Sequence, residues 1–128
     1  MIKEEPKENI IKEKSKKFAI RIISFYKILT TSRNETIMAK QILRSGTSIG
    51  ANIVEAQHGS SRKDFLNKMY IAFKECNETQ YWLDLFFESG YITKVEYDSI
   101  SQDCEELNKM LCRITKTTKA EMSLNPNL

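Results

Sequence analysis

The sequence predicts an all-α protein, an up-down-up-down four-helix bundle, from three observations. Apolar residues recur at spacings of three, four and seven, which is the period of an amphipathic helix. No segment alternates apolar and polar residues long enough to indicate a strand. The connections between helical patterns are only a few residues long, which makes successive helices antiparallel neighbours. A chain of 128 residues, 41% of them hydrophobic, suits one domain with one core.

The first helix is predicted over residues 9–31. It follows a charged stretch, interrupted by Pro6, that we expect to be disordered over residues 1–8. The second helix is predicted over residues 35–57, with Asn34 as the candidate to accept hydrogen bonds from its free amides. The inward stripe of the first helix holds Ile11, Phe18, Ile22, Phe25 and Leu29.

The third and fourth helices are predicted over residues 61–89 and 93–119, so that the bundle spans 9–120 and a disordered tail follows at 121–128. Gly59 and Gly90 suit left-handed helix ends. S-R-K-D at 61–64 resembles a capping box with Asp in place of Glu, and T-K-V-E at 93–96 is a complete one. The inward stripes hold Phe65, Met69, Ala72, Cys76, Leu83 and Phe87 in the third helix, and Ile100, Cys104, Leu107, Leu111 and Ile114 in the fourth.

Small residues mark the second helix. Gly46 and Gly50 stand four apart on one helical face, and each costs about 1 kcal/mol relative to Ala in helix propensity. Close approach of a neighbouring helix would offset this cost, so we predict a packing surface there. A phosphate-binding glycine loop is the alternative, but G-T-S-I-G-A lacks the GKS/T ending and a preceding strand. The packing surface is predicted to comprise Ser45, Gly46, Thr47, Gly50 and Ala51.

Two polar residues, Asn52 and Gln80, lie within apolar stretches of the second and third helices. We interpret both as interhelical hydrogen-bonding groups that fix the register of the helices.

The same region resembles a known family. The segments Q-I-L-R-S-G-T-S-I-G-A-N-I-V-E-A-Q (41–57), S-R-K-D-F-L-N-K (61–68), I-A-F-K-E (71–75) and E-T-Q-Y-W-L (78–83) are similar to the bacterial four-helix-bundle family of 23S rRNA intervening-sequence proteins, or S23 family. The accessory variability determinant of diversity-generating retroelements is a relative of that family. A looser match of F-A-x-R-I at 18–22 extends the resemblance to most of the chain.

The resemblance implies a homo-oligomer, a ring of five subunits, and offers no catalytic motif. Genes of the family lie within rRNA intervening sequences, and the retroelement relative engages a reverse transcriptase and nucleic acid. The resemblance therefore implies RNA or DNA, or a protein such as a reverse transcriptase, as partner.

Residues suited to catalysis or metal binding are few, so we expect no enzyme, no metal and no cofactor. His58 is the one histidine, and it lies in a predicted loop far from any nucleophile motif. Glu75 and Glu78 could face each other as in di-iron bundles, but the His of the Glu-x-x-His motif is missing.

Cysteine usage and the absence of targeting signals favour a cytoplasmic protein. Cys76, Cys104 and Cys112 lack metal-ligand spacing and fall at helical positions, which suits reduced, mostly buried thiols. No apolar run reaches the length of a membrane span, and the N-terminal stretch lacks the apolar segment of a signal peptide.

The third helix has more apolar surface than one core stripe can use, since Y-W-L-D-L-F-F at 81–87 is apolar around most of its circumference. Ile71, Trp82 and Leu85 lie away from the core stripe, which predicts an oligomer interface centred on Trp82. The alternative is a broad buried face within the monomer.

Basic residues gather in three segments that connectivity places at one end of the bundle: the start of the first helix, the loop before the third and the end of the fourth. Helix-dipole compensation explains the bases that end the fourth helix but disfavours the lysines that begin the first. We therefore predict that this basic pole binds nucleic acid, most of all structured RNA, or an RNA-bound partner. The alternative is a purely structural or protein-interaction oligomer. The predicted nucleic-acid-binding residues are Lys14, Lys16, Lys17, Arg21, Arg62, Lys63, Lys109, Arg113 and Lys116, with Lys12 and Lys119 in the same segments.

Overall fold

A computed structural model of the protein describes residues 7–125, and this part of the chain forms four α-helices without a strand. Each helix packs against the next in sequence, and α1 also meets α4, with less contact than the other packed pairs. The diagonal pairs do not pack on each other within residues 7–125. The predicted up-down-up-down bundle is confirmed. The helices are α1 (Lys7–Thr31), α2 (Ile37–Gln57), α3 (Arg62–Glu88) and α4 (Lys94–Leu124).

The main difference from the predicted boundaries lies at the end of α4, which continues to Leu124. The prediction of a disordered tail is wrong for 121–124, because no Gly or Pro interrupts this stretch and buried Thr118 and half-buried Met122 extend the inward stripe. Asn125 leaves the helical conformation directly before a proline, as sterics at X-Pro favour. Residues 1–6 and 126–128 of the predicted disordered ends lie outside the described residues.

The core follows the predicted stripes closely, with one exchange in α3. Phe86, not Phe87, is fully buried, and its ring meets those of Phe25 and Tyr91 edge to face at 5.7 and 6.1 Å between centroids. Phe87 is half-buried and stacks on Tyr97 at 4.7 Å. Ile114 of α4 is also only half-buried.

The start of α2 is capped by Glu35 and not by Asn34, the predicted residue. Asn34 has a left-handed φ of 55° and does not cap α2. Instead, the carboxylate of buried Glu35 accepts hydrogen bonds from the amides of Met38 (3.3 Å) and Ala39 (2.9 Å). Because the Glu side chain is one methylene longer than that of Asn, its carboxylate can reach these amides from the position before Thr36, the residue that immediately precedes the helix.

Of the two glycines and the two capping-box sequences next to α3 and α4, one of each has the predicted conformation. Gly90 ends α3 with a φ of 84°, as predicted, whereas Gly59 is not left-handed. Thr93 and Glu96 form the complete capping box of α4. Ser61 accepts a hydrogen bond from the Asp64 amide, but the Asp64 carboxylate accepts from Ser60 and leaves the second half of that box unmade.

Candidate nucleic-acid interface

The small residues of α2 determine where α1, and with it a group of lysines, can lie. A Cβ on Gly46 would stand 2.8 Å from Cγ1 and 2.9 Å from Cγ2 of Ile22 in α1. A Cβ on Gly50 would stand 3.3 Å from Oγ of buried Ser15. Glycine therefore lets the two backbones approach closely, which is the packing role that the sequence predicts.

The rest of the predicted packing surface divides between α3 and solvent. Buried Ser45 accepts a hydrogen bond from the Thr79 hydroxyl of α3 at 2.9 Å. Thr47 is half-buried and donates to the Leu43 carbonyl of its own helix. The prediction for Ala51 is wrong, because its position on the helix points it away from both neighbours and it is exposed.

Of the two polar residues predicted to join helices, Gln80 does so. Its side-chain amide lies within hydrogen-bonding distance of Ser101 Oγ (3.3 Å) and Tyr97 Oη (3.4 Å), both in α4. Tyr97 donates in turn to Asp84 of α3 at 2.5 Å, and this hydrogen bond raises the pKa of the Tyr97 phenol. Asn52 instead donates to the Ser48 carbonyl one turn earlier in α2, so that it satisfies its own helix.

The residues predicted to form the basic pole are spread along the bundle and do not all lie at one end. Arg62 pairs with Glu121 of α4 at 3.4 Å, whereas Arg21 pairs with Asp103 at 2.7 Å and also bonds Ser99. Asp103 and Glu121 are 18 residues apart on α4, about 27 Å at the helical rise of about 1.5 Å per residue. The placement of Arg21 at the basic pole is therefore wrong.

Lys14 also lies well away from the tip of the bundle, because it pairs with Glu106 at 2.5 Å. Lys14 and Lys17 thus lie along the flank of α4, beside a groove of about 280 Å³ that they help to line with Asp103. Shared connectivity brings the segments to the same half of the bundle but does not gather them at its tip.

Arg62 and Arg113 do meet at the tip of the bundle. They line a groove of about 290 Å³ with Thr117 and Glu121. The Arg62 guanidinium lies over the Phe65 ring, 4.6 Å from its centroid, which orients this cation at the start of α3.

The basic residues fall into two classes, those that form an ion pair with an acidic residue and those that do not. Lys14, Arg21, Arg62, Lys68 and Lys109 each hold an acidic partner. The remainder in the first half of α1, the first half of α3 and the second half of α4 make no ion pair among the described side chains. We call these residues the unpaired basic group: Lys12, Lys16, Lys17, Lys63, Lys74, Arg113, Lys116 and Lys119.

Acids do not balance this group. In the same half of the bundle, the carboxylates without a cationic partner are those of Glu13 and Asp64, counting the side chains of residues 9–125. In the opposite half, the two unpaired lysines, Lys27 and Lys40, are outnumbered by three carboxylates without a cationic partner among the same side chains, those of Glu35, Asp84 and Glu88. Positive charge is therefore concentrated in one half of the bundle, although the formal net charge of the chain is only +3.

The predicted oligomer interface is only partly exposed. Ile71 is 38% exposed, but Trp82 and Leu85 are half-buried, and the Trp82 indole donates to Glu78 at 3.2 Å. Large apolar side chains are more exposed than Ile71 on every helix, among them Ile20 of α1 (56%), Ile37 of α2 (77%), Tyr81 of α3 (56%) and Val95 of α4 (79%). The segment I-R-I-I at 20–23 could have revealed the α1 surface, since Ile20 falls opposite the Phe18 stripe on a helical wheel.

The residues considered as catalytic or metal-binding candidates are either exposed to solvent or held in ion pairs. His58 is exposed after the end of α2, and Arg44 binds both Glu75 and Glu78. Within residues 7–125, no three His, Cys, Asp or Glu side chains form a cluster that could hold a metal ion. None of the helices within residues 7–125 contains an apolar stretch of the length that a membrane crossing requires.

Fold and surface together define a small four-helix bundle with one strongly basic half. Residues 7–113 match the model of the 23S rRNA-intervening sequence protein family, and the chain belongs to that family. It is similar to a protein of unknown function from the S23 ribosomal protein family of Bacteroides thetaiotaomicron VPI-5482, whose crystal structure is known. The two share 54% sequence identity and a TM-score of 0.85, over 87% of this chain and 99% of that one. No curated protein sequence matches the chain.

Proposed function

We propose that this protein is a non-enzymatic, cytoplasmic homo-oligomer that binds the phosphate backbone of nucleic acid, structured RNA above all, or an RNA-bound protein. The observation that supports this proposal best is the unpaired basic group. Its cations have no acidic partner, so that an incoming phosphate need not displace one.

Lysine and arginine contacts to phosphates release condensed counterions, which gives affinity without reading bases. Most of the unpaired basic group is exposed, and its members come from α1, α3 and α4. A surface of this kind suits the shape and phosphates of folded RNA. In a ring of subunits, five by the family resemblance, the surface would recur around the symmetry axis and several subunits could hold one RNA.

A second candidate is a purely structural or protein-interaction oligomer. The exposed isoleucines favour it, because an apolar surface of this kind suits contact with protein and has no use in binding phosphates. In that case the basic half only keeps the assembly soluble.

Fluorescence anisotropy with a labelled RNA hairpin tests the proposal. The affinity should fall steeply with salt, with log K dropping by roughly 0.7 to 0.9 per phosphate contacted for each tenfold increase in salt concentration. It should change little when the hairpin sequence is permuted. Duplex DNA of the same length shows whether the A-form shape contributes.

Charge reversals identify which cations take part. One variant carries Lys63→Glu, Arg113→Glu and Lys116→Glu, and a second carries Lys16→Glu and Lys17→Glu. The first should weaken binding at least about tenfold and flatten the salt dependence. The second tells whether α1 contributes.

The matched control reverses Lys27 and Lys40, which are also exposed and unpaired but lie in the opposite half. If this control loses as much affinity as the first variant, or if wild-type protein shows no salt-sensitive binding, the structural-oligomer candidate replaces the proposal. Circular dichroism of all variants should be unchanged, because none of the substituted side chains is buried.

A further inference from the structure

Two cysteines face each other in the seam between α3 and α4. The sulfurs of Cys76 and Cys104 are 3.9 Å apart, and both residues are buried, at 0% and 1% exposure. Each thiol also lies close to the backbone carbonyl oxygen of the other residue, at 3.4 and 3.6 Å. Cys112 is half-buried and stands two turns further along α4.

The distance between these sulfurs is short enough for a bond. A disulfide needs about 2.05 Å, so that each sulfur would move by roughly 1 Å, which small side-chain rotations can supply. The helices are held in register on either side of the pair, by Gln80 with Ser101 and by Asn108, which donates to Asn77 at 2.6 Å. The backbone positions that favour the bond are therefore fixed by other contacts.

One cysteine of the pair also borders a groove. Cys104 lines a groove of about 620 Å³ between α3 and α4, whose other walls are polar side chains such as Ser101, Gln102 and Asn108. Because Cys104 is only 1% exposed, a small polar oxidant in this groove must reach the sulfur through a local opening of the seam between α3 and α4. The hydrogen bond with Cys76 and, after it, burial raise the pKa of the Cys104 thiol, which therefore stays protonated at neutral pH. The reaction should accordingly be slow, unlike that of an exposed thiolate.

We propose that Cys76 and Cys104 form an oxidisable dithiol, at which a small hydroperoxide produces an intramolecular disulfide that links α3 to α4. The Cys104 sulfur attacks the terminal oxygen of the hydroperoxide, the O–O bond breaks, and the alcohol or water leaves with the thiol proton. The Cys76 sulfur then attacks the resulting sulfenic acid, the S–O bond breaks, and the hydroxyl leaves as water with the second proton. Two electrons pass from the sulfurs to one peroxide. The product is uncharged, as its buried surroundings require.

Hydrogen peroxide added to the full-length, reduced, folded protein tests the site. After peroxide is removed, the protein is denatured and treated with N-ethylmaleimide. Intact mass should show the loss of two hydrogen atoms and one maleimide, on Cys112, where reduced protein takes three. Trypsin should release peptides 75–94 and 95–109 joined by the disulfide.

Two variants sharpen the result. Cys112→Ser should still lose two hydrogens and should then take no maleimide, and its thermal midpoint should be higher when oxidised. Cys76→Ser should not form the link, which separates this pair from nonspecific oxidation. The proposal is overturned if folded protein keeps three alkylatable thiols while urea-unfolded protein is oxidised, or if the recovered link joins Cys112 residues of two chains.

Discussion

At the scale of single residues, Gly46 and Gly50 differ in what an added methyl group would meet. At Gly46 the methyl would stand 2.8 and 2.9 Å from two branches of Ile22, which is fully buried and would have to shift. Gly46→Ala should therefore lower the free energy of unfolding by about 1 to 3 kcal/mol, despite the gain of about 1 kcal/mol in helix propensity. Urea denaturation followed by circular dichroism measures this change.

Gly50→Ala is the matched comparison, because the gain in propensity is the same and the three nearest atoms all belong to Ser15, the closest being Oγ at 3.3 Å. We expect it to be neutral or slightly stabilising. Gly50→Leu should destabilise by about 1 to 3 kcal/mol, whereas Ala51→Leu, on the exposed side, should stay within about 0.5 kcal/mol. Equal effects of the two leucines would show that α1 does not approach α2 closely here.

At the scale of elements, the start of α4 is tied to the loop between α1 and α2 through one ion pair. Arg33 donates to both carboxylate oxygens of Glu96, at 3.1 and 2.7 Å, and to the Tyr91 carbonyl. The hydrogen bond from Arg33, followed by the one from the Thr93 amide, lowers the pKa of Glu96 from 4.5 to about 2. A folded-state pKa below the unfolded one means that the pair stabilises the fold above pH 4.5 and loses its effect as pH falls through about 2.

Glu96→Gln should therefore lower the free energy of unfolding at pH 7 by about 1 kcal/mol, since the pair is partly exposed. The difference from wild type should shrink between pH 4.5 and about pH 2. Asp98→Asn, which breaks only the exposed pair with Lys94, should cost less than about 0.5 kcal/mol. Urea titrations across this pH range check both, and a Glu96→Gln effect of the same size at pH 2 and pH 7 contradicts the assignment.

At the scale of the whole molecule, we expect light scattering to show a mass several times 14.9 kDa at micromolar concentration. Ile71→Glu and Trp82→Glu place a charge in the predicted α3 interface and should lower that mass. Ile20→Glu tests the exposed surface of α1 instead. Because Trp82 also packs against the core, Ile71→Glu, with helicity checked, decides between loss of contact and loss of fold.

If wild-type protein is a monomer, both interfaces are excluded together. If only Ile20→Glu dissociates the assembly, the subunits meet through α1 and the sequence-based interface is wrong.

The sequence predicted the architecture well because hydrophobic period and short connections both act locally. The position of Arg21 along the bundle could not be predicted from these two features. The connectivity of the chain determines which helix ends lie at the same end of the bundle. The position of a residue along the bundle axis also depends on how far along its helix it lies and on the relative shift of α1 and α2 that Gly46 and Gly50 permit. Arg21 is 14 residues into α1, about 21 Å at a rise of about 1.5 Å per residue, and so meets the first part of α4.

The sequence also could not predict which basic residues form ion pairs. Lys14 and Lys17 look alike in the sequence, yet only Lys14 finds an acid, Glu106, across the seam. Lys74, absent from the predicted set, belongs to the unpaired basic group because its helix turns it outward. Such distinctions depend on side-chain contacts between helices that are distant in sequence.

The sparing contact between α1 and α4 has a kinetic consequence. In the described part of the chain, the other three helix pairs join neighbours in sequence, so that most contacts close short loops. Such a topology folds fast, and docking α1 on α4 is the one step that must bring distant segments together. We expect that step to come last in folding and its reversal to come first in native-state opening. Amide hydrogens of α1 should then exchange with solvent sooner than those of α2 and α3.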